Sequence, residues 1–427
     1  MYMKFSIVTF GCKVNSYESE YMKQQLENSN YVYTDDRNVA DVIIVNTCSV
    51  TNTADNKCKK MIRSIRRDNE KAILMVCGCA SENHREDFLD LGIDILIGNR
   101  EKSKVVSLIE DYKISGEKYI KFYDSRSGIF EDMRINDFSL TRAFVKIQDG
   151  CNNYCAYCII PYVRGNIRSK DFDECVEEIK TLVKKGHKEI VFTGINTGAY
   201  GKETGKYDLT DLIREISKIE ELERIRVSSI EMTEITDKFI NELKVNKKLC
   251  GHLHISLQSG SEKILKLMNR KYTKAEYLEN INKIKEARPD INLTTDVIVG
   301  FPGETEEDFQ ECIEYCKQVG FSKIHVFPFS SREGTKAASM SNHIPNDVKK
   351  ERARRLIEID KDLEIKYNER FIGKEVTVLV EENVDGRAIG HTENFIKVAL
   401  DQELEENKEY KVIIKKAYAD YVDAVLK

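Results

Sequence analysis

Residues 150–161, GCNNYCAYCIIP, hold three cysteines, Cys151, Cys155 and Cys158, in a C-x3-C-x2-C pattern. They follow the apolar run Ala143–Ile147, which predicts a buried strand ending in a cysteine-bearing loop. Three thiolates so close together can bind an iron–sulfur cube, although a four-iron cluster usually takes four cysteines. Zinc is the weaker alternative, because all seven histidines lie far from this loop in sequence. The loop predicts an iron–sulfur site and leaves open what binds the fourth iron.

Five more strand-like runs follow this loop at roughly even spacing, with helical stretches between them. They are EIVFTG (189–194), RIRVSSI (224–230), LHISLQ (253–258), NLTTDVIVGF (292–301) and KIHVFPF (323–329). Six strands separated by helices are typical of a parallel (β/α) barrel, or of most of one. Active sites of such barrels form at the carboxyl ends of the strands, which is where the cysteine loop lies.

The first hundred residues also alternate between strand-like and helical patterns. Strands are expected at FSIVTF (5–10), DVIIVNT (41–47), AILMVC (72–77) and IDILIG (93–98), and helices over Tyr17–Asn28 and Ala54–Asp68. Such alternation predicts a parallel-sheet α/β domain.

Three further cysteines follow strands of this predicted sheet. Cys12, Cys48 and Cys79 come after the first, second and third strands, at the carboxyl edge where open α/β sheets bind ligands. Cys77 competes with Cys79, but Cys77 lies inside its strand whereas Cys79 lies in the turn that follows. We therefore expect Cys12, Cys48 and Cys79 to converge, although they are remote in sequence.

The remaining segments suggest a connector and a small third domain. Residues 112–139 are polar and irregular and are interpreted as a linker, whereas residues 370–427 contain short β-like runs. Small β-barrels of this size often bind RNA. This one has nine basic against twelve acidic residues, so RNA binding requires a local face, for which the candidates are Lys411, Lys415, Lys416 and Arg387. A purely structural cap is the alternative.

The composition of the 427 residues sets the outer limits of these interpretations. Two to four domains are expected from the length, and no apolar run is long enough to cross a bilayer. The first residues lack the features of a secretory signal, so a cytoplasmic protein is expected, and its twelve cysteines are more typical of ligands or core thiols than of disulfides. Because the net charge is −5, a nucleic-acid partner can be argued only from local sites.

The cysteine loop after the first strand of such a barrel resembles that of the radical S-adenosylmethionine enzymes. The resemblance implies a [4Fe–4S] cluster held by Cys151, Cys155 and Cys158, with its fourth iron open to S-adenosyl-L-methionine. Three glycine-containing motifs end later strands at the same rim, TGINTGAYG (193–201), ISLQSGS (255–261) and VIVGFPGET (297–305). By the same resemblance, the residues expected to contact S-adenosylmethionine are Thr193, Gly194, Asn196, Gln258, Ser259, Gly260 and Gly300.

Nearly the whole chain is similar to the methylthiotransferases, through TFGCKVN, VNTCSVTNTADNK, GCNNYCAYCIIPYVRG, TGINTGAYG and SSREGTKAA. The resemblance implies an N-terminal domain over residues 1–111, in which Cys12, Cys48 and Cys79 hold a second [4Fe–4S] cluster with one open iron. It further implies a linker over 112–139, a radical barrel over 140–368 and a TRAM-like RNA-binding β-barrel over 369–427. The implied reaction converts a C–H bond to C–SCH3, and it needs an external electron donor and a sulfur donor that the sequence does not identify.

Two motifs bear on the substrate. FGCKVNSYESE and NTCSVTNTADNK are similar to those of the enzymes that act on threonylcarbamoyladenosine beside the anticodon of tRNA. Enzymes for isopentenyl-adenosine usually show YGCQMN and NTCxIREKA, so that substrate is the alternative. A non-catalytic iron–sulfur electron carrier or RNA-binding module is the rival from another class.

Several basic residues and cysteines have no place in these motifs. Arg164, Arg168 and Lys170, just past the cysteine loop, are candidate contacts for RNA phosphates, and the basic run Lys57–Arg67 is more typical of a solvated helix face. Cys312 and Cys316 are four residues apart on a predicted helix and are interpreted as core thiols. The roles of Cys58, Cys175 and Cys250 are left open.

Overall fold

The computed structural model describes residues 2–49, 52–124 and 128–427. Its first part is a parallel sheet in the order β2-β1-β3-β4-β5-β6. The strands are β1 (Lys4–Thr9), β2 (Val32–Tyr33), β3 (Val42–Thr47), β4 (Ile73–Gly78), β5 (Ile95–Ile97) and β6 (Tyr119–Lys121). The helices are α1 (Lys13–Asn28), α2 (Asn52–Asp68), α3 (Cys79–Asn83), α4 (Arg85–Leu89) and α5 (Val105–Ser115).

Both faces of this sheet are buried, as expected for parallel strands covered by helices. On β3, Val42 and Ile44 pack into the core that continues into the central barrel, whereas Ile43 and Val45 pack on the opposite side, under α2. The four predicted strands of the N-terminal domain are confirmed to within two residues at each end.

Two edge strands were not expected from the sequence. β2 has two residues and β6 has three, too few for an alternating pattern to be recognised. β6 lies inside the stretch interpreted as an irregular linker, and its Tyr119 pairs with Ile95 of β5. The linker interpretation is therefore wrong for residues 112–121, which complete α5 and the sheet, and the domain limits themselves stay predictions.

The central part is a partial parallel barrel. Its strands are β7 (Arg142–Lys146), β10 (Glu189–Thr193), β11 (Arg224–Val227), β12 (Ser229–Ile230), β13 (His252–Ile255), β14 (Asn292–Val299) and β15 (Lys323–Pro328), with the short antiparallel pair β8 (Gln148–Asp149) and β9 (Arg168–Ser169) beside β7. The order is β7-β10-β11, then β12-β13-β14-β15, all parallel. Only Ser228 separates β11 from β12, so six strand positions line the barrel and the gap lies between β7 and β15.

The helices of the barrel cover its outer surface. They are α6 (Ile160–Val163), α7 (Phe172–Lys184), α8 (Leu209–Ile216), α9 (Asp237–Val245), α10 (Glu262–Leu267), α11 (Lys274–Ala287), α12 (Glu306–Val319) and α13 (Asn346–Glu369). Capping boxes at Asp208, Thr273 and Thr305 fix where three of them begin. No helix in the described ranges combines the length and apolar character needed to cross a membrane.

The C-terminal part is a closed barrel in the order β16-β17-β18-β20-β19. Its strands are β16 (Glu375–Val384), β17 (Arg387–Thr392), β18 (Lys397–Leu400), β19 (Glu409–Ala417) and β20 (Val422–Leu426), of which β20 was not predicted. This barrel packs against the amino-terminal end of the central barrel, where Arg224 donates to the carbonyl of His391 and Arg142 pairs with Glu381. The predicted fold class, a parallel-sheet domain, a partial (β/α) barrel and a small β-barrel, is confirmed.

Candidate active site between two groups of cysteines

The scattered cysteines, Cys12, Cys48 and Cys79, lie at the carboxyl edge of the N-terminal sheet. Cys12 is the N-cap of α1, Cys48 follows β3 directly, and Cys79 is the first residue of α3. Cys12 is exposed, whereas Cys48 and Cys79 are buried. Burial raises the pKa of the Cys79 thiol, and the positive charges of Arg164 and Lys102 oppose this shift without cancelling it.

Two glycines allow the backbone to bring these cysteines together. Gly11 has φ +105°, and a Cβ placed there would lie 2.6 Å from Sγ of Cys48. Gly78 has φ +109°, and its Cβ would lie 2.3 Å from the carbonyl oxygen of Thr47. Any larger residue at these two positions would clash, so a glycine before Cys12 and another before Cys79 let both loops close around Cys48.

Arg164 joins the scattered cysteines to the central barrel. Its side chain is fully buried, and its Nε donates to Sγ of Cys79 at 3.2 Å. Its Nη1 contacts Glu18 of α1 at 3.0 Å and Asp149 of β8 at 3.2 Å. The sequence-based assignment of Arg164 to RNA phosphates is therefore wrong, because the guanidinium is already occupied inside the protein.

The buried charges around Arg164 leave a surplus of positive charge. Burial alone raises the pKa of Glu18, but Arg164, Lys102 and Lys146 together lower it below its ordinary value, so Glu18 is ionised. Asp149 is likewise held ionised, with a lowered pKa, by Lys146 and Arg164. Four cations, Arg164, Lys102, Lys146 and Arg168, contact only these two carboxylates, so positive charge is in surplus near Cys79, which suits a thiolate ligand.

Lys170 is also misassigned by the sequence. Its amine is buried, pairs with Glu178 at 2.5 Å and donates to the carbonyl of Met133. Arg168 is half-buried and lies 3.6 Å from Asp149. Lys170 is therefore not an RNA contact, because it ties the barrel to the segment that precedes β7.

The loop cysteines, Cys151, Cys155 and Cys158, lie between β8 and α6 and are all partly exposed. Burial raises the pKa of Cys151 to about 11 and that of Cys158 to about 12. Nη1 of Arg270 donates to Sγ of Cys155 at 3.3 Å. Arg270 also pairs with Glu231, and neither residue was singled out by the sequence, because each is a lone charge outside any motif.

A cavity of about 230 Å³, here called the rim cavity, lies at the barrel rim beside Cys158 of the loop group and Ser49, the neighbour of Cys48 in the scattered group. Its wall contains Ser49, next to Cys48, together with Cys158, Gln258 and Asp296. On one side of it Cys79 packs against Ile159 and Val163, which follow the loop cysteines. The segment after β3 and the cysteine loop before α6, which are remote in sequence, thus both line the rim cavity.

Neither group of thiols forms a site for a single metal ion with the residues that the structure describes. Within the described ranges, no three His, Cys, Asp or Glu side chains approach closely enough to bind one metal ion. A four-iron cluster binds each thiolate through a different iron, so its cysteines need not meet at a point. Three thiols per group, with guanidinium groups beside Cys79 and Cys155, suit an anionic cluster.

Comparison with known proteins identifies the family. Residues 145–316 match the radical SAM superfamily, and residues 4–98 match the Uncharacterized protein family UPF0004. The chain is 40% identical, over 91% of its length and 88% of the relative's, to the threonylcarbamoyladenosine tRNA methylthiotransferase MtaB of Bacillus subtilis. It is 39% identical, over 91% and 88% of the two chains, to the tRNA-2-methylthio-N(6)-dimethylallyladenosine synthase of Clostridium novyi. The chain belongs to the radical SAM tRNA methylthiotransferases.

A solved structure supports the fold of this methylthiotransferase. The radical S-adenosylmethionine methyltransferase TsrM of Kitasatospora setae, solved with cobalamin and a [4Fe–4S] cluster, matches with a TM-score of 0.59. The match covers 79% of this chain and 77% of that chain, at 13% identity, and therefore concerns the fold alone. The expectation that the protein is an enzyme is confirmed by its family.

In this methylthiotransferase, the first group of expected S-adenosylmethionine contacts lies at the end of β10. Thr193 is buried there, and a Cβ on Gly194 would lie 2.9 Å from Oε1 of Gln148, which leads into the cysteine loop. The backbone N–H of Asn196 donates to the same Oε1, while the buried Oδ1 of Asn196 has no hydrogen-bond partner among the described residues. An unpaired buried acceptor favours a ligand that brings a donor, such as an amino group.

The remaining expected S-adenosylmethionine contacts include one residue that lines the rim cavity and two glycines that pack against helices. Gln258 has φ +71° and lines the rim cavity, so it stays a candidate contact on geometric grounds. Gly260 packs against α12, where its Cβ would lie 2.7 Å from Cα of Cys312, and Gly300 packs against Lys349. Ser259 is buried and accepts from the N–H of Ser261. Helix packing accounts for both glycines, and their contact with ligand stays a prediction.

The other cysteines are core thiols. Cys58, Cys77, Cys175, Cys250, Cys312 and Cys316 are all buried and free. Cys312 accepts a hydrogen bond from the backbone of Gly260 at 3.1 Å, and Cys77 lies within β4, as expected. Burial raises the pKa of Cys58 to about 11, which suits an inert thiol.

Proposed function

We propose that the protein transfers a methylthio group to C2 of N6-threonylcarbamoyladenosine beside the anticodon of tRNA. The observation that carries this proposal is the rim cavity, which is lined by Cys158 of the loop group and by Ser49, next to Cys48, and whose wall residue Ile159 packs against Cys79. The relative from Bacillus subtilis supports the substrate, because its name specifies threonylcarbamoyladenosine. Isopentenyl-type adenosine is the second candidate, since the Clostridium novyi relative is almost as similar.

The loop cysteines and S-adenosylmethionine form the first part of the proposed machinery. Cys151, Cys155 and Cys158 would hold a [4Fe–4S] cluster, and Thr193, Asn196 and Gln258 would contact S-adenosylmethionine. When bound, this pair supplies the one-electron chemistry that activates a carbon–hydrogen bond and, from a second S-adenosylmethionine, the methyl group. Arg270 fixes the position of Cys155 through its hydrogen bond and is itself fixed by Glu231.

The scattered cysteines form the second part. Cys12, Cys48 and Cys79 would hold a second [4Fe–4S] cluster, which would supply the sulfur chemistry of the reaction. Arg164 orients Cys79 and balances the charge that thiolate ligation brings into a buried place. The glycines before Cys12 and Cys79 set the separation of the three thiols.

The wall of the rim cavity would protect the reaction. Ile159, Ile298 and Phe329 line it, so they exclude water from a substrate base held there. Gln258 and Asp296 offer polar atoms in the same wall for the edge of a base. The apolar part retains and shields the base, while the polar part orients it.

The proposed partners are tRNA, an external electron donor and a sulfur donor, in the cytoplasm where tRNA is modified. The exposed Lys411, Lys415 and Lys416 of β19 are the candidate phosphate contacts of the C-terminal barrel. Arg387 is a weaker candidate than the sequence suggests, because it already pairs with Asp401 and Asp423 at 2.7 Å each.

Nucleoside mass spectrometry of tRNA tests this function. A strain lacking the gene should lose 2-methylthio-N6-threonylcarbamoyladenosine and accumulate its unthiolated precursor. Reconstituted enzyme should methylthiolate an anticodon stem-loop carrying threonylcarbamoyladenosine. Action on an isopentenyl-adenosine stem-loop alone would replace the substrate and keep the chemistry, whereas no S-adenosylmethionine cleavage at all would favour a non-catalytic iron–sulfur protein.

A further inference from the structure

A second cavity, of about 480 Å³, occupies the interior of the central barrel below the rim, and is here called the lumen cavity. It shares Asp296 with the rim cavity, and Lys13, the residue after Cys12, also lines it. Asn292 of β14 lies in the same wall, four residues before Asp296, which corresponds to about 13 Å of strand rise. The lumen cavity therefore leads from the cysteines into the depth of the barrel.

Residues of the C-terminal barrel line one end of the lumen cavity. Phe395, in the β17–β18 turn, stacks on His391 with ring centroids 4.6 Å apart, and the guanidinium groups of Arg142 and Arg226 lie 5.0 and 4.7 Å from its ring. Phe395 adopts φ +64°, which is uncommon for an aromatic residue. Phe395 and His391 therefore form an ordered part of the cavity wall at the end that the C-terminal barrel covers.

Most charged groups in this wall are already paired. Arg142 pairs with Glu381 at 3.0 Å, Lys323 with Glu364 at 2.6 Å, and Asp296 lies 3.3 Å from Nε2 of His254. These contacts supply no reason for the wall to bind a further ligand.

Three wall residues keep unused hydrogen-bonding capacity. Lys13 has no hydrogen-bond or ion-pair partner within the described part of the chain. Arg226 pairs with Glu189 through Nε, but its buried Nη1 is unpartnered, and so is the buried Nδ1 of His252. Arg226 and His252 are 3% and 7% exposed, so bulk water does not satisfy them.

We propose that the lumen cavity binds the threonyl side group of the substrate, with its carboxylate on Lys13 and Arg226 and its hydroxyl on His252. The inference rests on the proposed function and adds to it the residues that recognise the modification. A carboxylate supplies the acceptors that two cationic donors lack. A hydroxyl both donates and accepts, so it suits Nδ1 of His252 in either tautomer.

The same wall discriminates against an apolar modification. An isopentenyl group in the lumen cavity would displace water from Lys13 and leave the buried nitrogens of Arg226 and His252 unpaired. Unpaired buried polar groups are costly, and sites built for a polar group reject analogues that lack it. The lumen cavity thus favours threonylcarbamoyladenosine over isopentenyl-adenosine.

Substrate analogues test the inference in the wild-type enzyme. Stem-loops would carry adenosine modified with threonine, with threoninol, which lacks the carboxylate, or with valine, in which a methyl group replaces the hydroxyl. We expect kcat/KM and binding affinity to fall about 10- to 100-fold for threoninol and about 3- to 10-fold for valine, from the usual strengths of charged and neutral hydrogen bonds. Affinity is measured by fluorescence anisotropy, independently of turnover.

Single-residue variants show which side chain causes the loss of kcat/KM and affinity for each substrate analogue. Lys13→Gln should bring the threonine and threoninol substrates to within about 3-fold of each other, and Lys13→Arg should restore the preference. His252→Phe should remove the preference of threonine over valine and leave the threoninol loss unchanged. Each variant must retain its iron content, because Lys13 adjoins Cys12, and Lys180→Gln on the exposed face of α7 is the charge-matched control.

The outcomes separate the two proposals. Equal use of threonine and threoninol stem-loops by the wild-type enzyme would overturn the lumen inference while the proposed function stood. Loss of preference in Lys180→Gln as large as in Lys13→Gln would also overturn it. Activity on isopentenyl-adenosine but not on threonylcarbamoyladenosine would instead refute the proposed function.

Discussion

The two groups of cysteines are assembled in opposite ways. Cys151, Cys155 and Cys158 lie within eight residues of one loop, and their side chains are all partly exposed. Cys12, Cys48 and Cys79 span 68 residues and three strand ends, with two of the three side chains buried. A local loop needs only its own turn to gather ligands, whereas the scattered group depends on the whole sheet being folded.

The charged residues around the two groups of cysteines also differ, both in number and in the elements that they join. The loop group has one buried ion pair beside it, Arg270 with Glu231, whereas the scattered group borders a network that links α1, β7 and the segment after α6. Arg164 of that network touches Cys79 from across the interface between the N-terminal sheet and the barrel. The scattered site therefore doubles as part of this interface, and damage to either should affect the other.

Removal of one ligand from each group gives the largest expected difference. Cys12→Ala should abolish methylthiolation, by more than about 100-fold, while S-adenosylmethionine cleavage continues, because the loop group is untouched. Cys155→Ala should abolish both. Methylthiolation is measured from the modified nucleoside, and S-adenosylmethionine cleavage is measured from the 5′-deoxyadenosine released. Product formation by Cys12→Ala would remove the sulfur-delivering role.

Iron content tests whether the groups are independent. Anaerobically reconstituted protein should contain about eight irons per chain, and replacing Cys151, Cys155 and Cys158 together by alanine should leave about four. The retained iron would belong to the scattered group, whose scaffold is distinct. Iron and sulfide are quantified by colorimetry, with Cys175→Ala, a buried core thiol, as the control. Loss of all iron in the triple variant would show that the two sites assemble together.

Arg164→Met and Arg270→Met form a matched pair. Removing one partner of a buried ion pair destabilises by about 3–5 kcal/mol, and we expect Arg164→Met near the lower value because Lys102 and Lys146 still face Glu18. Arg164→Met should also lose iron from the scattered site, whereas Arg270→Met should impair S-adenosylmethionine cleavage first. Thermal unfolding and iron content distinguish them. Identical profiles for the two variants would contradict the separate roles.

Thiol alkylation of the apo-protein compares the solvent accessibility of the cysteines in the two groups. Cys12 is exposed and should react fastest, while Cys48 and Cys79 should be protected until the sheet unfolds. Burial raises the pKa of Cys158 to about 12, so its thiolate fraction at pH 8 is small and rises about tenfold per pH unit up to that pKa. Mass spectrometry after timed iodoacetamide treatment at pH 8 and pH 9 measures each rate. Rapid labelling of Cys79 in folded protein would contradict its burial.

The smallest effect concerns the C-terminal barrel. Lys411→Gln, Lys415→Gln and Lys416→Gln in one protein should reduce the salt dependence of tRNA binding by about one unit of slope per lost phosphate contact. Arg387→Gln should leave the slope unchanged, because that guanidinium is already paired. Deleting the whole barrel is a poorer test, since its residues Phe395 and His391 also line the lumen cavity. An unchanged slope in the triple variant would refute this RNA-binding face.

Particular residues show where sequence reasoning succeeds. The spacing of Cys151, Cys155 and Cys158 and the alternation of strands and helices predict the barrel and its loop, because both are short-range patterns. Cys12, Cys48 and Cys79 were chosen for their equivalent positions after strands, and their convergence follows because parallel strands share one carboxyl edge. The preference for Cys79 over Cys77 follows from the same rule, since Cys77 lies within β4.

The misassigned basic residues show the limit of that reasoning. Arg164 and Lys170 resemble solvent-facing cations in sequence, yet both are buried among carboxylates from other elements. Their partners are 146 and 8 residues away, and no local pattern reports whether a cation meets water or a buried acid. The edge strands β2 and β6 escaped notice because two or three residues do not define an alternating pattern.

The sequence by itself determined the fold class, the two groups of cysteines and the family resemblance, because periodicity, strand-end position and motif spacing are properties of neighbouring residues. Tertiary structure alone decided that Arg164 faces Cys79, that Arg270 faces Cys155, and that Phe395 joins Lys13, Arg226 and His252 in the wall of one chamber. These contacts join residues more than 80 positions apart. They depend on how separate elements pack, and the energy of burying a charge is fixed by its neighbours in space and not in sequence.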